Sequence, residues 1–127
     1  MNTTYGLARV SSIGQTENTS LSFQSQRIKD YCSLHNLPLN EIIIEAESGA
    51  KSIEERSGLS KLQNLINKGT CRTIVVNKID RLGRSLLQGL LFLKYCEEHA
   101  IRVVSISENI DTDDPQSKLI INIRNGF

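Results

Sequence analysis

Four short runs of strand-forming residues, separated by stretches with helical spacing, restrict this chain more than any other feature. Thr73-Ile74-Val75-Val76 is apolar and largely β-branched without a polar break, the pattern of a strand covered on both faces. Tyr5 to Val10, Ile42-Ile43-Ile44 and Ile101 to Ile106 make the other runs. Leu21, Ile28, Tyr31, Cys32 and Leu34 recur at helical intervals between the first two. Leu59, Leu62, Leu65 and Ile66 do so before the third run, and Leu86, Leu87, Leu90, Leu91 and Leu93 to Tyr95 before the fourth. Strands that alternate with helices pair in parallel, which predicts an α/β fold. The expectation is one three-layer domain, residues 1–127, with a mostly parallel sheet of four or five strands flanked by helices. A chain of 127 residues can bury one real core and is too short for two domains.

Local signals agree with this order. Ser20 reads as the cap of the first helix, which must stop before Pro38. Gly69 closes the second helix. Ser11 to Thr19 and Glu45 to Ser57 are polar stretches containing Gly14 and Gly49, and read as loops, the second one mobile. Leu119-Ile120-Ile121 with Ile123 fits either another helix or an edge strand.

Composition narrows the function. Aromatic residues are 5% of the chain, so the core is aliphatic. A net charge of +1 is low for a free-standing nucleic-acid binder, so any such contact needs locally concentrated cations. Cys32, Cys71 and Cys96 form no CxxC pair, and His35 and His99 share no ligand spacing, so no metal site is expected. The thiols read as buried and idle in a reducing cytosol. No long apolar run and no secretory signal are present.

In an open α/β sheet, sites lie beyond the carboxyl ends of the strands. That rule gathers Arg9 to Gln15, Glu47 to Arg56 and Asp80 to Arg84. Arg9 and Ser11 are two apart and leave the same strand face. Arg81 and Arg84 fall in or near the first turn of a helix, where the dipole already leaves positive charge. Asp80 offsets one of them, and the rest is comfortable only beside an external anion. The competing reading is a solvated basic corner balanced by Asp80 and Glu108. Phosphate suits a helix N-terminus and an arginine fork equally well. A Walker loop, a GxSxG elbow, a histidine near Ser11 and paired carboxylates after the first strand are all missing. What remains is serine attack on a phosphodiester, with arginines in place of metal ions.

At these residues the chain resembles the catalytic domain of the serine recombinases, the resolvase, invertase and large integrase or transposase group. The likeness rests on Ala8-Arg9-Val10-Ser11-Ser12 with Gln15, Ser20-Leu21 with Gln24, and Glu47-Ser48-Gly49. Arg56-Ser57-Gly58-Leu59 and Lys78-Ile79-Asp80-Arg81-Leu82-Gly83-Arg84 complete it. The resemblance implies that Ser11 is the nucleophile, joined to a DNA 5′ phosphate as a phosphoserine while a 3′ hydroxyl is released. It implies that Arg9, Arg56, Arg81 and Arg84 bind the phosphate. Asp80 would orient them or handle the leaving group's proton, and Gln15, Gln24 and Ser48 would line the site. For Gln24 a solvent-facing helix position, and for Ser48 an ordinary loop hydroxyl, are the competing readings. The longer Thr16-Glu17-Asn18-Thr19 spacer is more like the large recombinases or transposases than the small resolvases.

The resemblance further implies DNA as partner and a homodimer or tetramer in the full-length form. It implies no metal, small-molecule cofactor or membrane, and a cytoplasmic, nucleoid-associated location. The family's Ala-Glu-x-Glu-Arg assembly helix and its DNA-binding domain are not found in these 127 residues. The chain therefore reads as a catalytic domain that binds DNA poorly alone. Two other classes stay open: a non-catalytic recombinase-like module for DNA binding or assembly, and a small phosphate-binding regulator. A Ser11-dependent covalent DNA adduct separates the first from the leading reading. Binding of phosphometabolites without DNA association marks the second.

Overall fold

The four strands read from runs of strand-forming residues form in the computed structural model, and the sheet extends one strand further; the Leu119 to Ile123 segment and the loops expected around Gly14 and Gly49 lie outside the described residues. Residues 3–10, 18–46, 57–82 and 86–114 are described, with the main chain alone at Val10, 18–20, Ala46, Ser57, Asp80, Arg81 and Leu86. The order is β1 (Thr4–Val10), α1 (Asn18–Leu34), β2 (Leu39–Ala46), α2 (Ser57–Asn67) and β3 (Thr73–Val76). A 3-10 helix (Ile79–Leu82), α3 (Leu86–Glu98), β4 (Arg102–Ser105) and β5 (Ile110–Asp111) follow. The sheet runs β2-β1-β3-β4-β5, parallel except for β5, which pairs antiparallel with β4.

Strand alternation sorts the core into two layers. Ile74, Val76, Val103, Leu7 and Ile43 pack with Leu59, Leu62 and Ile66 of α2 and with Phe92 and Cys96 of α3. Val75 and Val104 face the other way, onto Ile28 and Cys32 of α1. All four residues of β3 are buried, as a strand covered on both faces requires. Gly6 lets α1 lie close on β1, because a Cβ there would meet Ile28 Cγ2 at 2.8 Å and Ile42 Cγ1 at 3.2 Å. This fixes the height of α1 over the strand.

The three helices end alike. Asn36, Gly69 and Ala100 take left-handed φ values of 55°, 78° and 58°. The following N–H then bonds back over the last turn, from Leu37 to Cys32 O, Thr70 to Leu65 O and Ile101 to Cys96 O. The expectations at Gly69 and before Pro38 hold. All three cysteines are buried and free. Burial pushes the Cys71 thiol up to about 11 and Cys96 up to about 12, so both stay protonated and inert near neutrality. No helix among the described residues is long and apolar enough to cross a membrane.

Four expectations need correction. The first helix starts at Asn18, so Ser20 lies within its first turn instead of capping it. Leu34 is 77% exposed, because the chain leaves the helix there. Leu87 and Leu91 are 65% and 52% exposed; the sheet-facing stripe of α3 is Phe92 and Cys96. Glu45 is a buried residue of β2, not the start of a loop.

Candidate functional site

Chain direction across the sheet reverses at β1. The chain moves out to β2 on one side and then returns to β3 on the other, with α1 on one face and α2 and α3 on the opposite face. In sheets of this order the crevice that receives a ligand lies outside the carboxyl ends of the two strands at the reversal, here β1 and β3. The last residues of β1 and the turn after β3 border that crevice. β2 ends at the same edge, with Val10 in register with Ala46.

Arg9 is held there by its main chain. β3 ends at Val76, opposite Leu7, so β1 outruns it. Gln24 of α1 takes the place of the missing strand. The Arg9 N–H donates to Gln24 Oε1 at 3.1 Å, and Gln24 Nε2 donates to Arg9 O at 2.9 Å. Gln24 is 1% exposed, which overturns the reading of it as a solvent-facing helix residue. It lies one helical turn before Ile28, on the face that Gly6 admits close to β1. Neighbouring parallel strands turn registered side chains to the same face, and Arg9 is registered with Glu45 of β2. A buried carboxylate thus neighbours the half-buried Arg9 on that face. Gly58 of α2 makes room for it, since a Cβ there would stand 2.7 Å from Glu45 Cβ and 3.0 Å from Oε1.

The Asp80-Arg81 pair sits on the short 3-10 helix, not on the first turn of α3, which begins four residues after Leu82 at Leu86. This turn follows the end of β3 and packs against β1, β3 and α3, which brings it to the Arg9 end of β1. Leu82 anchors its far end, fully buried in the core. At its near end the Ile79 N–H donates to both carboxylate oxygens of Glu108, at 3.2 and 3.3 Å.

Of the residues expected in the site, the structure brings together Arg9, Gln24 and the main chain of Asp80 and Arg81. Ser11, Gln15, Ser48, Arg56 and Arg84 lie outside the described residues. Two carboxylates were not anticipated as parts of the site. Glu45 could have been found by continuing the alternation from Ile43, which puts both on one face. Glu108, read only as a charge balance for a basic corner, is a hydrogen-bonding anchor. Guanidinium and carboxylate positions gathered at the carboxyl edge of a parallel sheet can hold and orient an anion.

The chain is similar to several known proteins. The family model described as "Resolvase, N terminal domain" matches residues 4–127. The Transposon Tn3 resolvase of Escherichia coli is 29% identical over 119 residues, 94% of this chain and 58% of that protein. The DNA-invertase of Escherichia phage P1 is 31% identical over 83 residues, 65% of this chain and 43% of the relative. The chain thus spans about half the length of these curated relatives. The N-terminal catalytic domain of TP901-1 integrase superimposes with a TM-score of 0.84 at 29% identity, covering 97% of this chain and 91% of that one.

Proposed function

Because the chain belongs to the resolvase N-terminal domain family, we propose that it is the catalytic domain of a site-specific serine recombinase, cutting and rejoining DNA through Ser11. The Ser11 hydroxyl loses its proton to solvent as its oxygen attacks a backbone phosphorus and forms a P–O bond. The bond to the 3′ oxygen breaks, and that oxygen takes up a proton and leaves as a hydroxyl. The 5′ phosphate stays on the serine. After strand exchange a new 3′ hydroxyl loses its proton and attacks the phosphoserine, the serine oxygen leaves and takes up a proton, and the backbone is restored. The phosphoserine ester conserves the broken bond, so no ATP is required.

Arg9, Arg81, Arg84 and Arg56 hold the phosphate in this scheme and stabilise charge on its oxygens as the transition state forms. Each well-placed charged donor contributes roughly 3 kcal/mol. Asp80 orients these arginines or handles the leaving group's proton, and Gln15 and Ser48 line the pocket. Gln24 acts through the Arg9 main chain. The substrate is DNA in the cytoplasm, at the nucleoid, and the intact protein works as a dimer or tetramer. Residues 1–127 are the catalytic domain of that assembly.

One observation carries the reading: the Arg9 end of β1 and the Asp80-Arg81 turn border the same switch-point crevice. The test is a suicide DNA substrate containing a verified recombination site, incubated with the intact protein. A covalent protein–DNA adduct is expected, lost on Ser11→Ala with DNA binding retained. An undiminished adduct in Ser11→Ala, or none with wild-type protein on DNA it binds, would refute the assignment.

A further inference from the structure

We propose that Glu108 is a positioning residue for DNA cleavage, setting the attitude of the Asp80-Arg81 turn through the Ile79 N–H; this rests on the recombinase reading above. The geometry is that of a two-point mount. β3 and β4 pair as far as Val76 and Ser105. Two further main-chain bonds extend the seam, Ile106 N–H to Val76 O at 3.0 Å and Ser107 N–H to Asn77 O at 2.9 Å. Ser107 Oγ also donates to the Oδ1 of the buried Asn77 at 3.4 Å. Beyond Asn77 the chain breaks from the seam into the 3-10 helix, and Ile79 carries the first N–H there without a main-chain partner inside that helix.

Glu108 supplies the acceptor. A tight turn, closed by Asn109 N–H to Ile106 O and by a left-handed Asn109 (φ 57°), carries it back toward β3. Both carboxylate oxygens accept from Ile79, and the fully buried Ser105 hydroxyl donates to Oε1, which fixes the carboxylate from behind. A charged acceptor at the positive end of a helical turn is the strong form of this bond. With Ile79 tied at one end and Leu82 buried at the other, the two residues between them have little freedom to rotate as a unit. Arginine recognition of phosphate is directional, so a turn free to roll would lose alignment and not charge.

The experiment uses the intact protein and the suicide substrate, reading single-turnover adduct formation, DNA affinity and thermal midpoint for wild type, E108A, E108Q and E108D. E108Q keeps the reach and an acceptor oxygen for Ile79, and E108D keeps the charge but is one methylene shorter. E108A is expected to slow adduct formation by about 10–100-fold, the scale of small misplacements in a reacting site. DNA affinity should stay near wild type. E108Q should recover most of the rate and E108D little of it. Ile66→Val, a core truncation in α2, controls for general loss of stability and should cleave normally. The inference is overturned by E108A cleaving like wild type, by E108D outperforming E108Q, or by Ile66→Val slowing cleavage as much as E108A. If E108A does not fold, the order of E108Q and E108D decides. A wild-type protein that forms no adduct overturns the cleavage reading itself; an adduct undiminished in E108A overturns the role of Glu108 alone.

Discussion

Replacing Gln24 by methionine tests whether the main chain at Arg9 depends on a borrowed partner. Gln24→Met keeps the side chain's length and apolar contacts and removes both bonds to Arg9. Each such bond contributes roughly 0.5–1.5 kcal/mol net, and each group left unmatched away from water costs roughly 1–3 kcal/mol. Arg9 is half-buried, so water reaches part of the exposed polar surface. The expected loss is about 2–4 kcal/mol, a large share of the roughly 5–15 kcal/mol that holds an ordinary domain folded. Gln24→Glu should be no better at neutral pH. Its carboxylate still accepts from the Arg9 N–H but faces the Arg9 carbonyl without a proton to donate. Urea unfolding gives the global loss, and hydrogen exchange locates it. The Arg9 amide should lose more protection than the amides of β3. A Gln24→Met protein within about 0.5 kcal/mol of wild type, the range of an ordinary surface change, would show that the Arg9 main chain does not depend on Gln24. So would an Arg9 amide exchanging as slowly as before.

Three glycine and alanine exchanges and one pH series test other parts of the fold. Gly58→Ala should cost about 1–3 kcal/mol, because its Cβ would press on the Glu45 stem. Gly89→Ala meets nothing within 4 Å inside α3 and should gain about 0.5–1 kcal/mol; Ala100→Gly should also stabilise, by about 1 kcal/mol, by relieving a left-handed alanine. Thermal or urea unfolding of the three variants checks the signs, and a tolerated Gly58→Ala would contradict the packing described. In the Arg102–Asp111 pair, burial alone would raise the Asp111 carboxyl. Hydrogen bonds from Arg102 and the Asp113 N–H, together with the Arg102 charge, outweigh burial and hold it below its usual value. A depressed native pKa gives stability that is present above the unfolded value, about pH 4, and lost as pH falls through the native one. The pair is partly solvated and contributes no more than about 1 kcal/mol. Asp111→Asn should flatten the midpoint-against-pH curve below about pH 4, and parallel curves for the two proteins would refute the linkage.

The parts of the fold that depend on short-range pattern were readable from residue types. Val75 between Ile74 and Val76 has no polar face to offer water, and the strand is covered on both sides. Gly69 supplies a left-handed residue where a helix must stop. Pattern failed where tertiary contacts choose among equivalent residues. Leucines on several sides of α3 give no single stripe, and the larger Phe92 took the core position while Leu87 and Leu91 stayed outside. β5 has two residues and is held across the turn by Arg102 donating to Asp111 and by the Val103 N–H donating to Thr112 Oγ1, side-chain bonds with no periodic trace. The arginines were visible as candidates because several cations near one strand edge are conspicuous. Gln24 and Glu108 were not visible in their actual roles, since a side chain that bonds a distant peptide group leaves no spacing to read.

Charge balance at the crevice explains how a chain of net charge +1 can be built around cationic positions. Glu45 stands beside Arg9 in the sheet, Asp80 precedes Arg81 in the turn, and Glu108 closes the start of that turn. Carboxylates so placed weaken general attraction to a polyanion, because affinity for the nucleic-acid backbone grows with the number of phosphates neutralised. Glu108 also ties down the turn that carries Arg81, through the Ile79 N–H. In the proposed reaction the second effect outweighs the first: the barrier falls only by interactions stronger in the transition state than in the bound substrate. A domain arranged in this way favours alignment over affinity. Removing Glu108 should therefore show in the rate of cleavage and leave the strength of binding nearly unchanged.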